Sequence, residues 1–163
     1  MMKKNFLVRK ATHEDAKSIH RVLLAAFKEF HKYYSREGFN DTVLSEKAVL
    51  VRMNEMTIYV AVDDNNNIIG TNGWQKISNE EGHIRGMAVH PKWQGKNSPA
   101  ATLLKAVEND AISNECIFLT LDTTEVLKRA GNFYKKHGFK FTGKTGDFFG
   151  SKIYQYIKYL NRG

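Results

Sequence analysis

Cysteine and proline are nearly missing from this sequence: 163 residues hold one Cys and two Pro. A lone Cys116 cannot close an internal disulfide, so the staple of small secreted domains is not available. Long apolar runs are missing too. None approaches the roughly 20 residues that a membrane helix needs, and Phe6-Leu7-Val8 is too short for a signal-peptide core. We read this amino-terminal segment as a first strand, expect no membrane partner, and expect a cytoplasmic location. Internal repeats and low-complexity tracts are also lacking. Asp63-Asp64-Asn65-Asn66-Asn67 is short enough to be a hairpin turn, so one domain over residues 1–163 is expected.

Hydrophobic residues at 42% and charged residues at 26% are ordinary for a globular chain. The charge is less ordinary, at a net +8. From Lys128 to Arg162 the basic residues are Lys128, Arg129, Lys135, Lys136, Lys140, Lys144, Lys152, Lys158 and Arg162, against Asp147 alone. Such a stretch fits either an anionic ligand nearby or a solvated basic face. Zinc-ligand spacing, an aromatic RNA-binding signature and a basic heptad array are all absent, which disfavours nucleic acid as the partner.

Hydrophobic periodicity supplies the elements. Thr12 followed by Asp15 resembles a capping box. Behind it Ile19, Val22, Leu23, Ala26, Phe27 and Phe30 recur at steps of three and four, the spacing of one buried helical stripe. A second helix is expected from about Thr42 to Asn54, with Leu44, Ala48 and Val51 inward. The segment between them, His31 to Phe39, reads as a ring-rich loop. Thr57 to Val62 and Ile68 to Ile77 are β-branched and aromatic and form a hairpin, with a third strand from His83 to Val89. The pattern then changes to strand, helix, strand: Ala100, Leu103, Leu104, Val107 and Ala111 make a helical stripe before the strand Cys116 to Leu121. This predicts a parallel crossover. A helix from Glu125 to His137, ended by Gly138, and strands at Phe139–Thr142 and Lys152–Tyr159 complete an α/β or α+β arrangement, a mixed sheet of about seven strands flanked by helices.

The chemistry concentrates where the strand ending in Met87-Ala88-Val89 runs through His90-Pro91-Lys92-Trp93-Gln94-Gly95-Lys96-Asn97-Ser98-Pro99 into the helix opening at Ala100. Ser98 as N-cap and Pro99 at the first helical position suit a helix start. Free N–H groups and the helix dipole make such a turn an anion site, although a strand-loop-helix with one Gly is more often plain connection.

This strand, loop and helix resemble motif A of the GCN5-related N-acetyltransferases, whose loop reads Gln or Arg, two residues, Gly, one residue, Gly or Ala. Downstream, Ala130-Gly131-Asn132-Phe133-Tyr134-Lys135-Lys136-His137-Gly138-Phe139 resembles the family's helix end. The resemblance covers nearly the whole chain in element order, and these two segments in residues. Departures lie in the loop, where Asn97 and Pro99, or Ser98 and Ala100, stand at the two glycine positions, and at Leu127, where many members have a cofactor-contacting Asn.

What the resemblance implies is specific. The fold would be the acyl-CoA N-acyltransferase fold, a mostly antiparallel seven-stranded twisted sheet. Acetyl-CoA would be the cosubstrate, its pantetheine arm along Met87, Ala88 and Val89 and its pyrophosphate on Gln94, Gly95, Lys96, Asn97, Ser98, Pro99 and Ala100, with Leu127 and Lys136 adjoining. A small-molecule or peptide amine would attack the thioester directly, with no protein nucleophile and no metal. Tyr134 matches the family's frequent general acid, or else packs on the sheet. Glu81 or Glu80 is the first choice of base and His83 the next. His31, Tyr33 and Tyr34 lie where relatives build the acceptor pocket, or else cover the core. Two other readings stand beside the enzyme: a catalytically silent acyl-CoA-binding relative, and a basic nucleic-acid or partner-binding module on the same fold. A homodimer through Tyr154, Tyr156 and Tyr159 competes equally with an internal role for those rings.

Overall fold

The structure is a computed structural model that describes residues 5–161. Met1 to Lys4, and Arg162 of the basic stretch, lie outside the described residues. Seven strands form one sheet in the order β1-β2-β3-β4-β5-β7-β6. They are β1 (Phe6–Lys10), β2 (Thr57–Asp63), β3 (Ile68–Lys76), β4 (Glu81–Val89), β5 (Phe118–Thr124), β6 (Lys140–Phe148) and β7 (Ser151–Tyr159). Every pairing is antiparallel except that of β4 with β5. The helices are α1 (Ala16–Phe27), α2 (Arg36–Thr42), α3 (Glu46–Met53), α4 (Ala100–Ser113) and α5 (Lys128–Lys136).

The capping box forms as its spacing predicts. Asp15 accepts the Thr12 backbone N–H at 2.8 Å and holds Arg9 of β1 through two bonds at 2.7 and 3.1 Å. That carboxylate joins the first strand to the first helix, and its pKa falls, chiefly through the Arg9 bond. Ile19, Val22, Leu23 and Ala26 are buried against Val49, Ile58, Val60 and Ala88 on one face of the sheet. On the other face Leu104, Val107 and Ala111 of α4 pack with Trp74, Ile84, Leu119, Leu121, Tyr134 and Phe139. The Trp74 indole donates to Asp110 at 2.9 Å, and Lys158 reaches the buried Glu108 at 2.6 Å. These polar bridges tie α4 to the sheet where apolar packing alone would leave groups unpaired.

Several expected boundaries move. The ring-rich segment is a 3₁₀ helix, Lys28–Tyr33, followed by the separate helix α2. α3 begins only at Glu46, capped by the Ser45 hydroxyl accepting from Ala48 N–H at 3.1 Å. Leu44 therefore precedes the helix; it is buried and Ala48 packs on the core as expected, but Val51 is 53% exposed and Val49 is fully buried in its place. β5 starts at Phe118 rather than Cys116, which is buried before it. β6 runs to Phe148, past Thr142, as a mostly exposed edge strand. Tyr156 belongs to the core, whereas Tyr159 is largely exposed beside Phe118.

Candidate active site

β4 and β5 pair in register only at Glu81 with Phe118, Gly82 with Leu119 and His83 with Thr120. Beyond that point they part, because β4 bulges. Gly73 of β3 faces Arg85 and Thr71 faces Ala88, so one residue of β3 stands opposite two of β4. Gly86 takes the left-handed conformation at the bulge, φ +79°, which costs glycine little and other residues more. The parted strands open a cleft of about 910 Å³, walled by β4 from His83 to Val89, by Leu121 to Thr124 of β5, by α5 and by the loop before α4. Backbone N–H and C=O groups that a continued parallel ladder would consume are left facing this cleft.

The loop is set by local chemistry. Gly95 and Asn97 both have positive φ, +87° and +67°; Asn is among the side chains that tolerate this best. The Gln94 amide donates to Val89 C=O at 2.9 Å and accepts from Arg129 of α5 at 2.8 Å, so one side chain clamps the strand end, the loop and α5 together. Pro99 already has helical angles, and the Ser98 hydroxyl accepts from Ala100 N–H at 3.1 Å. Ser98 thus caps the helix as its sequence position suggests, although regular helix begins at Ala100.

Opposite this loop, Tyr134 of α5 is buried and donates its hydroxyl to the Met87 thioether sulfur at 3.3 Å. Burial pushes the phenol pKa up strongly, so Tyr134 keeps its proton and acts as a donor. At the point where the strands part, His83 faces the cleft. Its Nδ1 lies 2.8 Å from the Thr120 hydroxyl, which donates to Glu81 at 2.6 Å, and its Nε2 lies 3.7 Å from Asp122. Burial lowers the His83 pKa against the opposing pull of Asp122 and Glu81.

Among the residues singled out from sequence, Met87, Ala88, Val89, Gln94, Gly95, Asn97, Ser98, Ala100, Leu127, Tyr134 and Lys136 all line the cleft. Lys96 and Pro99 do not; Pro99 is instead fully buried against Gly70 of β3. Glu81 is not a lining residue and reaches the cleft only through Thr120 and His83. Of the ring-rich group only Tyr34 arrives, its hydroxyl 3.0 Å from Thr124 of β5 and its ring edge-on to Phe148. His31 stacks on Phe39, and Tyr33 is half exposed under Lys32. Phe27 packs against the core as expected and also lines the cleft, as does Phe30. Sequence reading missed Asp122, Thr120, Arg52 and Arg129. Only Arg129 carried a signal, as one cation of the basic stretch. No group of His, Cys, Asp and Glu side chains suited to a metal occurs among the described residues.

A seven-stranded mixed sheet with helices on both faces, parted between its parallel strands beside a loop and helix N-terminus, defines the acyl-CoA N-acyltransferase fold. The sequence profile described as the acetyltransferase (GNAT) family matches residues 16–139, and the chain belongs to that family. Solved structures agree. An N-acetyltransferase, PaiA, from Thermoplasma acidophilum, in complex with coenzyme A, superposes with a TM-score of 0.79 at 20% identity, covering 96% of this chain and 99% of that one. Ard1 from Thermoplasma volcanium gives 0.76 at 17% identity, covering 96% and 98%. A GNAT family acetyltransferase from Elizabethkingia anophelis with acetyl-CoA bound gives 0.68 at 20%, covering 96% and 99%. At these identities the structures speak for the fold. No curated protein matches the sequence significantly.

Proposed function

We propose that this chain, as one domain over residues 1–163, transfers an acetyl group from acetyl-CoA to a primary amine by direct attack. The observation that carries this reading is the parting of β4 and β5 with a buried phenol donor held at the gap. The donor set suits coenzyme A: free strand edges match an extended pantetheine arm, and the turn at Gly95 and Asn97 under the start of α4 suits a pyrophosphate. Lys128, Arg129 and Lys136 line the cleft and supply positive charge for phosphates.

The bound thioester supplies the activated acyl carbon. Tyr134 already donates to a sulfur, that of Met87, and the same hydroxyl donates to the departing thiolate when that sulfur is replaced. With its pKa pushed up, the phenol serves by hydrogen bonding without becoming phenolate. His83, kept neutral by burial, takes the proton from the incoming amine at Nε2, while Thr120, anchored by Glu81, accepts from its Nδ1–H and Asp122, 3.7 Å from Nε2, stabilises the imidazolium that forms. Backbone N–H groups at the bulge around Gly86 and Met87 are placed to receive charge on the acyl oxygen.

Titration with acetyl-CoA tests the binding half. The melting temperature should rise with ligand concentration. An unchanged melting temperature at saturating acetyl-CoA would remove the reading.

A further inference from the structure

Arg52 sits near the end of α3 and reaches the cleft from the side opposite α5. It lines a small hollow together with Ile19, Leu23 and Val49, and its guanidinium lies against the bulge: a Cβ placed on Gly86 would be 3.3 Å from Arg52 Nη1. Neighbouring Arg85 is paired, donating to Asp41 at 2.7 Å. Arg52 is not. Among the described residues it makes no side-chain hydrogen bond or ion pair, and the carboxylates that act on it, Asp41 and Glu55, do so only at longer range. Burial and the charge of Arg85 bring its pKa to about 10, still protonated at neutral pH. A half-buried guanidinium with no carboxylate is costly to keep, and its planar fork matches a carboxylate in two parallel bonds.

We propose that Arg52, backed by Arg85, receives a carboxylate of the acceptor, so that the amine acetylated here is a free amino acid. This rests on the acetyl-transfer reading above and names its substrate class. The guanidinium lies at the bulge, beside the place where β4 and β5 part, so a carboxylate held there lies close to the reacting nitrogen. An α-amino acid, with carboxylate and amine on one carbon, meets that constraint. A peptide N-terminus does not, because its first carboxyl is consumed in an amide.

The test compares L-amino acids with their α-carboxamides and with spermidine, in the wild type, Arg52→Gln and Arg52→Lys. In wild type, kcat/KM should favour the amino acids over their amides by about 10- to 100-fold. That preference should collapse in Arg52→Gln and be partly kept in Arg52→Lys, with coenzyme A affinity unchanged in both. A binding measurement stands apart from turnover: L-amino acids should raise the melting temperature of the wild-type complex with coenzyme A, and the rise should vanish in Arg52→Gln. Amino-acid binding that depends on Arg52 but releases no thiol would uphold the carboxylate site at Arg52 and sink the transfer reading. Equal turnover of amides, a preference for spermidine, or no amino-acid binding by the wild-type complex would overturn the inference.

Discussion

The Tyr134 hydroxyl donates to the sulfur of Met87 across the gap between α5 and β4, at 3.3 Å. The phenol is buried among apolar neighbours, and its raised pKa keeps it protonated and neutral. Tyr134→Phe removes that donor and little else, since the ring keeps its edge contacts with Phe133 and Phe139. We expect kcat to fall by about 10²-fold or less, with the KM for acetyl-CoA little changed. Steady-state thiol release measures both, and an unaltered kcat would remove Tyr134 from the chemistry.

In the proposed mechanism His83 sets the pH dependence. Burial holds its pKa below the ordinary histidine value of about 6.5, so the neutral, basic form is dominant at pH 7. The acid limb of kcat/KM should therefore fall below that ordinary value, and His83→Gln should lower kcat/KM about 10²-fold and abolish the limb. Stability has the same sign: the unfolded chain takes up this proton first, so stability is lost as pH drops from about 6.5 through the lower folded pKa. A limb unchanged in His83→Gln would assign the base elsewhere.

Gln94 joins the end of β4 to Arg129. Gln94→Ala cuts both bonds and frees the loop and the start of α5 together. Coenzyme A affinity should weaken by about tenfold, the equivalent of one or two hydrogen bonds, while the melting temperature without ligand changes little. Calorimetric titration checks this, and undiminished affinity would show that the loop holds itself.

Asp15 carries the join of β1 to α1, accepting from Thr12 and from both arms of Arg9. Asp15→Ala should cost about 2 kcal/mol of unfolding free energy. Because the folded carboxyl has a depressed pKa, the wild-type advantage holds above about pH 4 and disappears as pH falls through the folded value. Denaturant titration at two pH values measures the difference.

Local signals foretold the strands and the long helices. The stripe from Ile19 to Ala26, the Asp/Asn turn and Gly138 each determine structure within a few residues, and each stands where expected. The loop before α4 was legible for a similar reason: Ser98 and Asn97 act on their own neighbours. The opposite wall of the cleft was not. His83 meets Thr120 and Asp122 only through the parallel register of β4 on β5, set by residues nearly forty positions apart. Arg52 reaches Gly86 through the phase of α3, which begins at Glu46 rather than at the expected Thr42. Glu81 had the right chemistry for a base, but its carboxylate is turned toward Thr120.

The central claim is amine acetylation in the cleft between β4 and β5. Its most direct test is the release of free coenzyme A thiol from acetyl-CoA, followed across a panel of amines with the acetylated product identified by mass. We predict release that depends on an amine and is matched mole for mole by the N-acetyl product. Binding of acetyl-CoA with no amine-dependent release across the panel would contradict the account and leave a binding protein on a transferase fold.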